Sequence, residues 1–394
     1  MRTVFTLKSD IFLWTNDKEG LLYNCATFNS LKFVLTPSIE EMCNYLNNID
    51  NLYSISYDDN EIDAPLSKFI SDLLSQGFGV LNNDGDNITS FPPVLNLQNN
   101  WEGVIKDNAQ STSRILNYLS VLTIFLGGYN SNNDKLYLQT EYPIPGGDFF
   151  DFQMLADFLK RITSTYVKDI RFVISDLVNY PNINNILSLI ASFGHKVSLF
   201  IKYDELSNPT VRTIIKNSNI FIVVLYHSTC PRNIYTDCEI INHRFLLDNE
   251  NDYSIFAEFI KEAGISNYNF VPVYNGNNQD FIINNLFLTQ EELLQSRLTK
   301  RHVFMHQAVN VFSFGHLFVL PSGKVYSDLT KKAIGSINDT FHSLILAEQN
   351  ANYSWRRTRR ANGCEGCLFV DICPSPTKLE DIMGTHCICT DHRN

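Results

Sequence analysis

The sequence predicts an α/β protein in three parts: a small strand-rich unit, an open barrel of six β/α units, and a cysteine-rich C-terminal segment. In the middle of the chain, strand-like apolar runs alternate with helix-length amphipathic stretches, which implies parallel strands joined by right-handed crossovers. Short alternating segments precede this region. Five of the nine cysteines fall in the last 31 residues.

Length and composition bound the class of protein. A chain of 394 residues exceeds one ordinary core, so we expect two or three domains. The net charge of −11 disfavours nucleic acid and anionic membranes as partners. The segment Met1–Trp14 has no signal-peptide apolar block, and no apolar run approaches the roughly 20 residues that span a bilayer. We therefore expect a cytoplasmic protein with no nucleic-acid or membrane partner.

The first unit is predicted at residues 1–90. Its alternating segments predict strands near Val4–Leu7, Ile11–Trp14, Leu21–Tyr23 and Leu31–Leu35. Helices are expected at Ile39–Asn47 and Pro65–Gln76, the second ending at Gly77 as a C-terminal cap. The pattern indicates a small α+β domain.

The central domain is predicted at residues 91–296. Its strands are expected at Val94–Gln98, Ser120–Leu126, Ile170–Ser175, Val197–Lys202, Ile220–Tyr226 and Asn269–Tyr274. Amphipathic stretches between them predict helices at Phe152–Thr165, Ile183–Phe193, Pro209–Asn217 and Tyr253–Ala263. Six such units are fewer than the eight of a closed TIM barrel, so we expect a partial, open (β/α)6 barrel.

The C-terminal domain is predicted at residues 297–394 and begins with a hairpin. Leu317–Leu320 and Lys324–Tyr326 flank Pro321-Ser322-Gly323, a turn sequence. The cysteines follow.

Cys364, Cys367 and Cys373 have the spacing C-x2-C-x5-C, which predicts metal ligation in a reducing compartment. The C-x-x-C pair brings two thiolates within one turn, and the third can close from another side. A closed site needs four ligands, and Cys387 is the predicted fourth, with Cys389 and His386 as alternatives. Thiolates suit zinc and iron–sulfur clusters alike, so spacing leaves the metal open.

The C-terminal motifs carry a resemblance to a known family. They run Gly323-Lys324-Val325-Tyr326, then Ile334-Gly335-Ser336-Ile337, then Trp355 and Arg357, then Cys364-Glu365-Gly366-Cys367 and on to Cys373-Pro374. This order resembles the SPASM domain of radical-SAM peptide maturases, whose C-terminal cysteines hold auxiliary 4Fe–4S clusters. The resemblance implies a radical-SAM type of barrel and one 4Fe–4S cluster here, with zinc as the alternative. Ser327, Asp328 and Thr340 stand where further cysteines are expected, so a second auxiliary cluster should be absent.

A second departure concerns the catalytic cluster. Radical-SAM enzymes place a C-x3-C-x2-C motif after the first barrel strand, but Asn99 to Lys106 contain no cysteine, and the next one along the chain is Cys230. We therefore expect no S-adenosylmethionine (SAM) cluster and no catalytic residues of that type. The pattern resembles the pseudo-radical-SAM proteins that accompany genuine radical-SAM enzymes in peptide-maturation systems.

The N-terminal unit resembles the PqqD-type recognition element (RRE), which binds a precursor's leader peptide as an added strand. Leu31–Leu35 is the predicted edge strand, and Pro65–Gln76 the other wall of the groove. The sequence thus predicts a non-catalytic component in the maturation of a ribosomally made peptide, with a precursor peptide or a genuine radical-SAM enzyme as partner. The alternatives are a redox enzyme or electron relay that uses an auxiliary cluster, and a zinc-stabilised binding module.

Overall fold

The fold is described from a computed structural model of the full chain. It describes residues 2–58, 62–83, 90–93, 95, 97–111, 114–127, 135–144, 146, 148–162, 166–192, 196–218, 220–228, 240–360, 363–385 and 389. Among these residues, no helix combines the length and hydrophobicity needed to cross a membrane.

Two small antiparallel sheets form the N-terminal unit. The strands are β1 (Arg2–Leu7), β2 (Ile11–Thr15), β3 (Glu19–Asn24), β4 (Ser30–Val34), β5 (Ser54–Asp58) and β6 (Gly79–Asn83), and the helices are α1 (Pro37–Asn47) and α2 (Ala64–Ser75). One sheet has the order β5-β1-β6 and the other β2-β3-β4. The predicted strands and helices of this unit are therefore confirmed. Gly77 has φ of +75°, the left-handed conformation expected just past a helix end.

A nine-stranded sheet forms the centre of the molecule. Its strands are β7 (Val121–Gly127), β8 (Asp169–Ile174), β9 (Lys196–Lys202), β10 (Phe221–Tyr226), β11 (Ile240–Leu247), β12 (Tyr268–Pro272), β13 (His316–Val319), β14 (Lys324–Tyr326) and β15 (Gly335–Ser336). The order is β12-β11-β10-β9-β8-β7-β13-β14-β15. Strands β7 to β12 are parallel and in chain order, as the predicted β/α alternation requires.

The remaining helices lie between and after these strands. They are α3 (Trp101–Gln110), α4 (Leu136–Gln139), α5 (Phe152–Ile162), α6 (Ile183–Ala191), α7 (Pro209–Ser218), α8 (Glu250–Ala263), α9 (Gln279–Leu286), α10 (Gln290–Gln295), α11 (Lys300–Ala308), α12 (Phe341–Ala351) and α13 (Lys378–Met383). One face of the sheet packs against α5 to α8 in the largest core, through residues such as Ile124, Phe172, Leu199 and Val224.

The six parallel strands are not the six that were predicted. The segment Val94–Gln98 was expected as the first, but Leu97–Asn100 forms a 3-10 helix. Gln98 Nε2 donates to the carbonyls of Ala308, at 2.9 Å, and Arg356, at 3.0 Å. The first barrel strand is β7, and β11 completes the set. Strand β11 escaped prediction because Asn242, His243 and Arg244 interrupt its apolar run.

The C-terminal region continues the central sheet rather than standing apart from it. Strand β13 pairs parallel with β7 and antiparallel with β14, which confirms the predicted hairpin. Gly323 in its turn has φ of +76°. The cysteine-rich segment then packs with α9 to α11 against β2 and β3, in a core that joins Phe12 and Trp14 to Phe369 and Ile372.

Candidate metal centre and barrel interior

Four thiols line one closed cavity. Cys364, Cys367, Cys373 and Cys389 surround it together with Leu293 and Arg359. The space between atoms is about 300 Å³, of which about 10 Å³ admits the centre of a water molecule. None of the cysteines in the described ranges is in a disulfide. Cys389 reaches the other three through a parallel bridge with Leu288, just before α10.

The cavity therefore brings together the three cysteines of the predicted motif and one of the alternatives for the fourth ligand. The predicted fourth ligand, Cys387, and the other alternative, His386, lie outside the described residues. Within the described ranges, no group of three or more His, Cys, Asp or Glu side chains is arranged to hold a metal ion. Four thiols around a common space are an arrangement that suits an iron–sulfur cluster, because the several atoms of a cluster hold its ligands apart from one another.

Arg359 fixes the wall of this cavity. The side chain is 2% exposed and binds both carboxylate oxygens of Glu380, one of them at 2.9 Å from Nη2. Its Nε donates to the carbonyl of Pro374 at 2.6 Å. Burial opposes its charge, but the bond to Glu380 and the negative charges of Cys373, Glu380 and Cys364 raise the Arg359 pKa. A permanent cation beside the thiols stabilises them as thiolates, the form that binds metal.

Asp371 ties the cysteine segment to its surroundings. This buried carboxylate accepts from Trp14 Nε1 on β2 at 2.8 Å and from Arg360 Nη2 at 2.7 Å. His306 Nδ1 and the Asp371 carbonyl oxygen are 3.1 Å apart. The segment between Cys367 and Cys373 is therefore held by the N-terminal unit and by α11 at once.

The four arginines before Cys364 do not form a solvated basic face. Arg357 pairs with Asp381, and Arg356 lies 4.6 Å from the centre of the Trp101 ring. Arg359 and Arg360 bind Glu380 and Asp371, as above. All four guanidinium groups therefore have carboxylate or aromatic partners within the protein.

The part of the concave face toward the carboxyl ends of the strands is covered by the chain itself. Leu136 and Tyr142 join a core with inward-facing strand residues such as Phe125, Leu225 and Leu246. Gln139 clamps the end of this segment to the strand edge beyond β12, because Nε2 donates to the Tyr274 carbonyl and Oε1 accepts from the Tyr274 N–H, both at 2.8 Å. Segment 136–144 thus spans the face from β7 to the end of β12.

Glu141 anchors this segment in a buried ionic layer. Its carboxylate pairs with Arg171 on β8 and with Arg244 on β11, the latter at 2.6 Å. Arg171 also binds Asp169 at 2.7 Å, and Arg244 lies 4.8 Å from the centre of the Phe200 ring. Burial alone would raise the Glu141 pKa, but the two guanidinium groups hold it well below its usual range. The layer lies nearer the amino ends of the strands than the apolar contacts do.

The positions expected to carry further cysteines are occupied by a hydrogen-bond network. Ser327 donates to the fully buried Glu348. The other Glu348 oxygen accepts from the backbone N–H groups of Ser354 and Trp355, both at 2.9 Å. Asp328 accepts from Thr330, and Thr340 caps α12.

Strand β4 is an edge strand, as predicted, and it pairs with β3. Lys18 and Leu35 are a hydrogen-bonded pair, since the Leu35 N–H donates to the Lys18 carbonyl at 2.8 Å. Because such pairs alternate along an antiparallel ladder, Phe33 also points its backbone groups at β3, whereas Lys32 and Val34 point theirs at the open edge. The Phe33 ring packs on Phe69 of α2 at 4.6 Å between centroids, so α2 lies beside this strand.

Sequence reasoning missed the ionic layer, because its members lie 30 and 103 positions apart and no local pattern links them. The role of Arg359 was missed as well, because its partner Glu380 lies 21 positions away. Cys25 and Cys43, which lie far from the C-terminal cysteines in sequence, are buried, and burial raises the pKa of each thiol to about 12.

The described residues define a mixed α/β protein with a mostly parallel nine-stranded sheet and a four-thiol cavity. No family model and no curated protein matches the sequence. Among solved structures, Streptococcus suis SuiB bound to precursor peptide SuiA is similar over 98% of both chains, with 12% identity and a TM-score of 0.43. SuiB bound to S-adenosylmethionine also matches over 98% of both chains, with 12% identity and a TM-score of 0.39.

The protein anSMEcpe with bound AdoMet and Kp18Cys peptide covers 64% of this chain and 88% of its own, at 12% identity and a TM-score of 0.41. With TM-scores below 0.5, these likenesses are too remote to carry an argument about this chain.

Proposed function

We propose that this chain is a cytoplasmic, catalytically degenerate relative of radical-SAM peptide maturases, which serves as a peptide-binding or partner component in the maturation of a ribosomally made peptide. Residues 1–90 form the peptide-recognition domain, 91–296 the barrel, and 297–394 the SPASM-like metal domain. The observation that carries the proposal is that the chain itself occupies the concave face toward the carboxyl ends of the strands.

A SAM cofactor would require both a cluster and open space. Since β7 is the first barrel strand, the expected place of the cluster motif is the segment after Gly127, and no cysteine occurs in the sequence from position 44 to position 229. Sites in β/α barrels lie at the carboxyl ends of the strands. There, Leu136 and Tyr142 pack on the inward-facing apolar residues of β7, β10 and β11. Segment 136–144 therefore takes the place that a cofactor and substrate would need.

The C-terminal domain is proposed to hold one metal centre with Cys364, Cys367, Cys373 and, as the fourth ligand, Cys389 rather than the predicted Cys387. The donors are all thiols, which fit iron–sulfur and zinc alike. The resemblance favours one 4Fe–4S cluster, with zinc as the alternative. Such a centre would crosslink the cysteine segment and, if it is iron–sulfur, supply one-electron transfer.

Peptide recognition is proposed at the β4 edge. Lys32 and Val34 offer outward backbone groups, and α2 stands beside them. Addition of a strand there would use main-chain hydrogen bonds for affinity and the flanking pockets for selectivity. The partner is a precursor peptide, a genuine radical-SAM enzyme, or both.

The deciding experiment reconstitutes the purified chain with iron and sulfide under anaerobic conditions, then adds SAM and a strong reductant. We expect no 5′-deoxyadenosine above a protein-free blank. A genuine radical-SAM enzyme treated in the same way serves as the positive control. Formation of 5′-deoxyadenosine in the absence of any partner would overturn the proposal.

Metal analysis of the same preparation separates the alternatives. Iron and sulfide bound in equal amounts support the cluster, and a redox-active cluster that exchanges electrons with added substrate would favour an electron relay. One zinc per chain, with no iron after reconstitution, would favour a zinc-stabilised binding module.

A further inference from the structure

A second cavity lies between segment 136–144, β13 and α13. The volume open to water is about 290 Å³, far larger than that of the thiol cavity. Glu141 and Arg171 form one wall, and Lys378 with Thr377 forms another. Phe318 and Leu379 supply apolar surface, and the exposed Phe312 lies at its rim.

The ammonium group of Lys378 faces this cavity without an anion bound to it. Its Nζ lies 3.6 Å from the centre of the Phe318 ring. No hydrogen bond or ion pair to it occurs within the described residues, although an ammonium group has three donors. Burial lowers the Lys378 pKa to about 8, against the opposing charges of Glu141 and Asp328, while Arg171 lowers it further. A partly desolvated cation in this position gains from an added anion.

The charges around Lys378 determine what kind of anion fits. Glu141 is already shared by Arg171 and Arg244, and Asp328 accepts hydrogen bonds from Thr330. His316 is neutral, because burial and the neighbouring cations Lys378 and Arg171 hold its pKa well below the usual value. Lys378 is thus the cation of this group that no carboxylate contacts directly, and the two nearby carboxylates repel a second negative charge.

From this cavity we propose a binding site for a monocarboxylate with an apolar body. The carboxylate accepts from Lys378 and from the hydroxyl of Ser313, which also lines the cavity. The body of the ligand packs on Phe318 and Leu379. This site is separate from the thiol centre and from the β4 edge, and it goes beyond the proposed function.

Benzoate is the probe, and isothermal titration calorimetry on the full chain at pH 7 is the measurement. We expect saturable binding of benzoate, weaker binding of acetate, which lacks the apolar body, and weaker binding of inorganic phosphate, whose second charge is repelled. Lys378→Met should weaken benzoate binding at least tenfold, while the exposed Lys332→Met should leave it unchanged.

The pH dependence provides a test that needs no variant. Only protonated Lys378 binds the carboxylate, so affinity is present below the pKa near 8 and is lost as the pH rises through it. Between pH 7 and pH 9 the affinity for benzoate should fall about tenfold, following the protonated fraction.

A stability measurement covers the case in which the variant changes the fold. Lys378→Met should abolish the rise in melting temperature that benzoate gives to the unaltered chain. The proposal is overturned by equal benzoate affinity in Lys378→Met, by tighter binding of phosphate than of benzoate, or by no binding of benzoate to the unaltered chain.

Discussion

Replacement of Glu141 by Gln should release segment 136–144 from the barrel. Gln keeps the volume but removes the charge that two guanidinium groups share. Arg171 retains Asp169, whereas Arg244 is left with the Phe200 ring as its neighbour among the described contacts. Loss of one partner of a buried ion pair costs about 3–5 kcal/mol. Opening of the segment should then become at least about 100-fold more frequent, since 1.4 kcal/mol is a factor of ten.

The assay is hydrogen–deuterium exchange followed by mass spectrometry on peptides that cover residues 135–144. Asp157→Asn is the matched control, because Asp157 pairs with Lys160 at 3.0 Å on the surface, where such pairs contribute little. Exchange within threefold of the unaltered protein in Glu141→Gln would show that the ion pairs do not hold the segment.

Acid gives the same perturbation without a mutation. The Glu141 pKa is depressed in the folded protein, so its contribution to stability is present above the ordinary value of 4.5 and is lost as the pH falls toward the folded value. Exchange of the segment, corrected for the intrinsic pH effect, should therefore accelerate below pH 4.5 in the unaltered protein and change little in Glu141→Gln.

Three further predictions concern the metal centre and the peptide edge. Cys389→Ser should lower the metal bound per chain, measured by mass spectrometry of the elements, whereas Cys387→Ser should not; the reverse result would return the fourth ligand to Cys387. Trp14→Phe removes a buried hydrogen bond to Asp371 and should lower the free energy of unfolding by about 1–3 kcal/mol. Metal should then be released at a lower urea concentration, and release at an unchanged concentration would contradict the role of this contact. Val34→Pro removes one outward backbone donor and should weaken binding of a labelled precursor peptide about fivefold, whereas Val34→Thr should leave binding unchanged. Binding is measured by fluorescence anisotropy, with a peptide chosen from the reading frames that flank the gene. Equal binding by the two Val34 variants would exclude strand addition at this edge.

The Val34 variant replaces a test that the sequence alone would suggest. Phe33 lies at the centre of the predicted edge strand, but its backbone groups point at β3 and its ring packs on Phe69. Phe33→Pro would therefore damage the domain rather than block the edge. The register of the ladder decides which residue is informative, and register is a property of the pairing.

The local sequence pattern determined many of the strands and helices of this protein. The alternation in β1 to β4 and the apolar spacing of α5 to α8 each depend on neighbours within a few residues, and so does the turn at Gly323. The sequence predicts these elements correctly for that reason. The C-x2-C-x5-C spacing likewise brings three thiols together, because a short loop limits how far they can separate.

Only the tertiary structure decided which residues meet across the chain. Cys389 joins the other thiols through a bridge with Leu288, about a hundred positions earlier in the sequence. Strand β11 is interrupted by Arg244, whose polar character makes sense only beside Glu141, 103 positions away. A buried charge is tolerated when its partner is in place, and that partner is set by the packing of the whole sheet rather than by its neighbours in sequence.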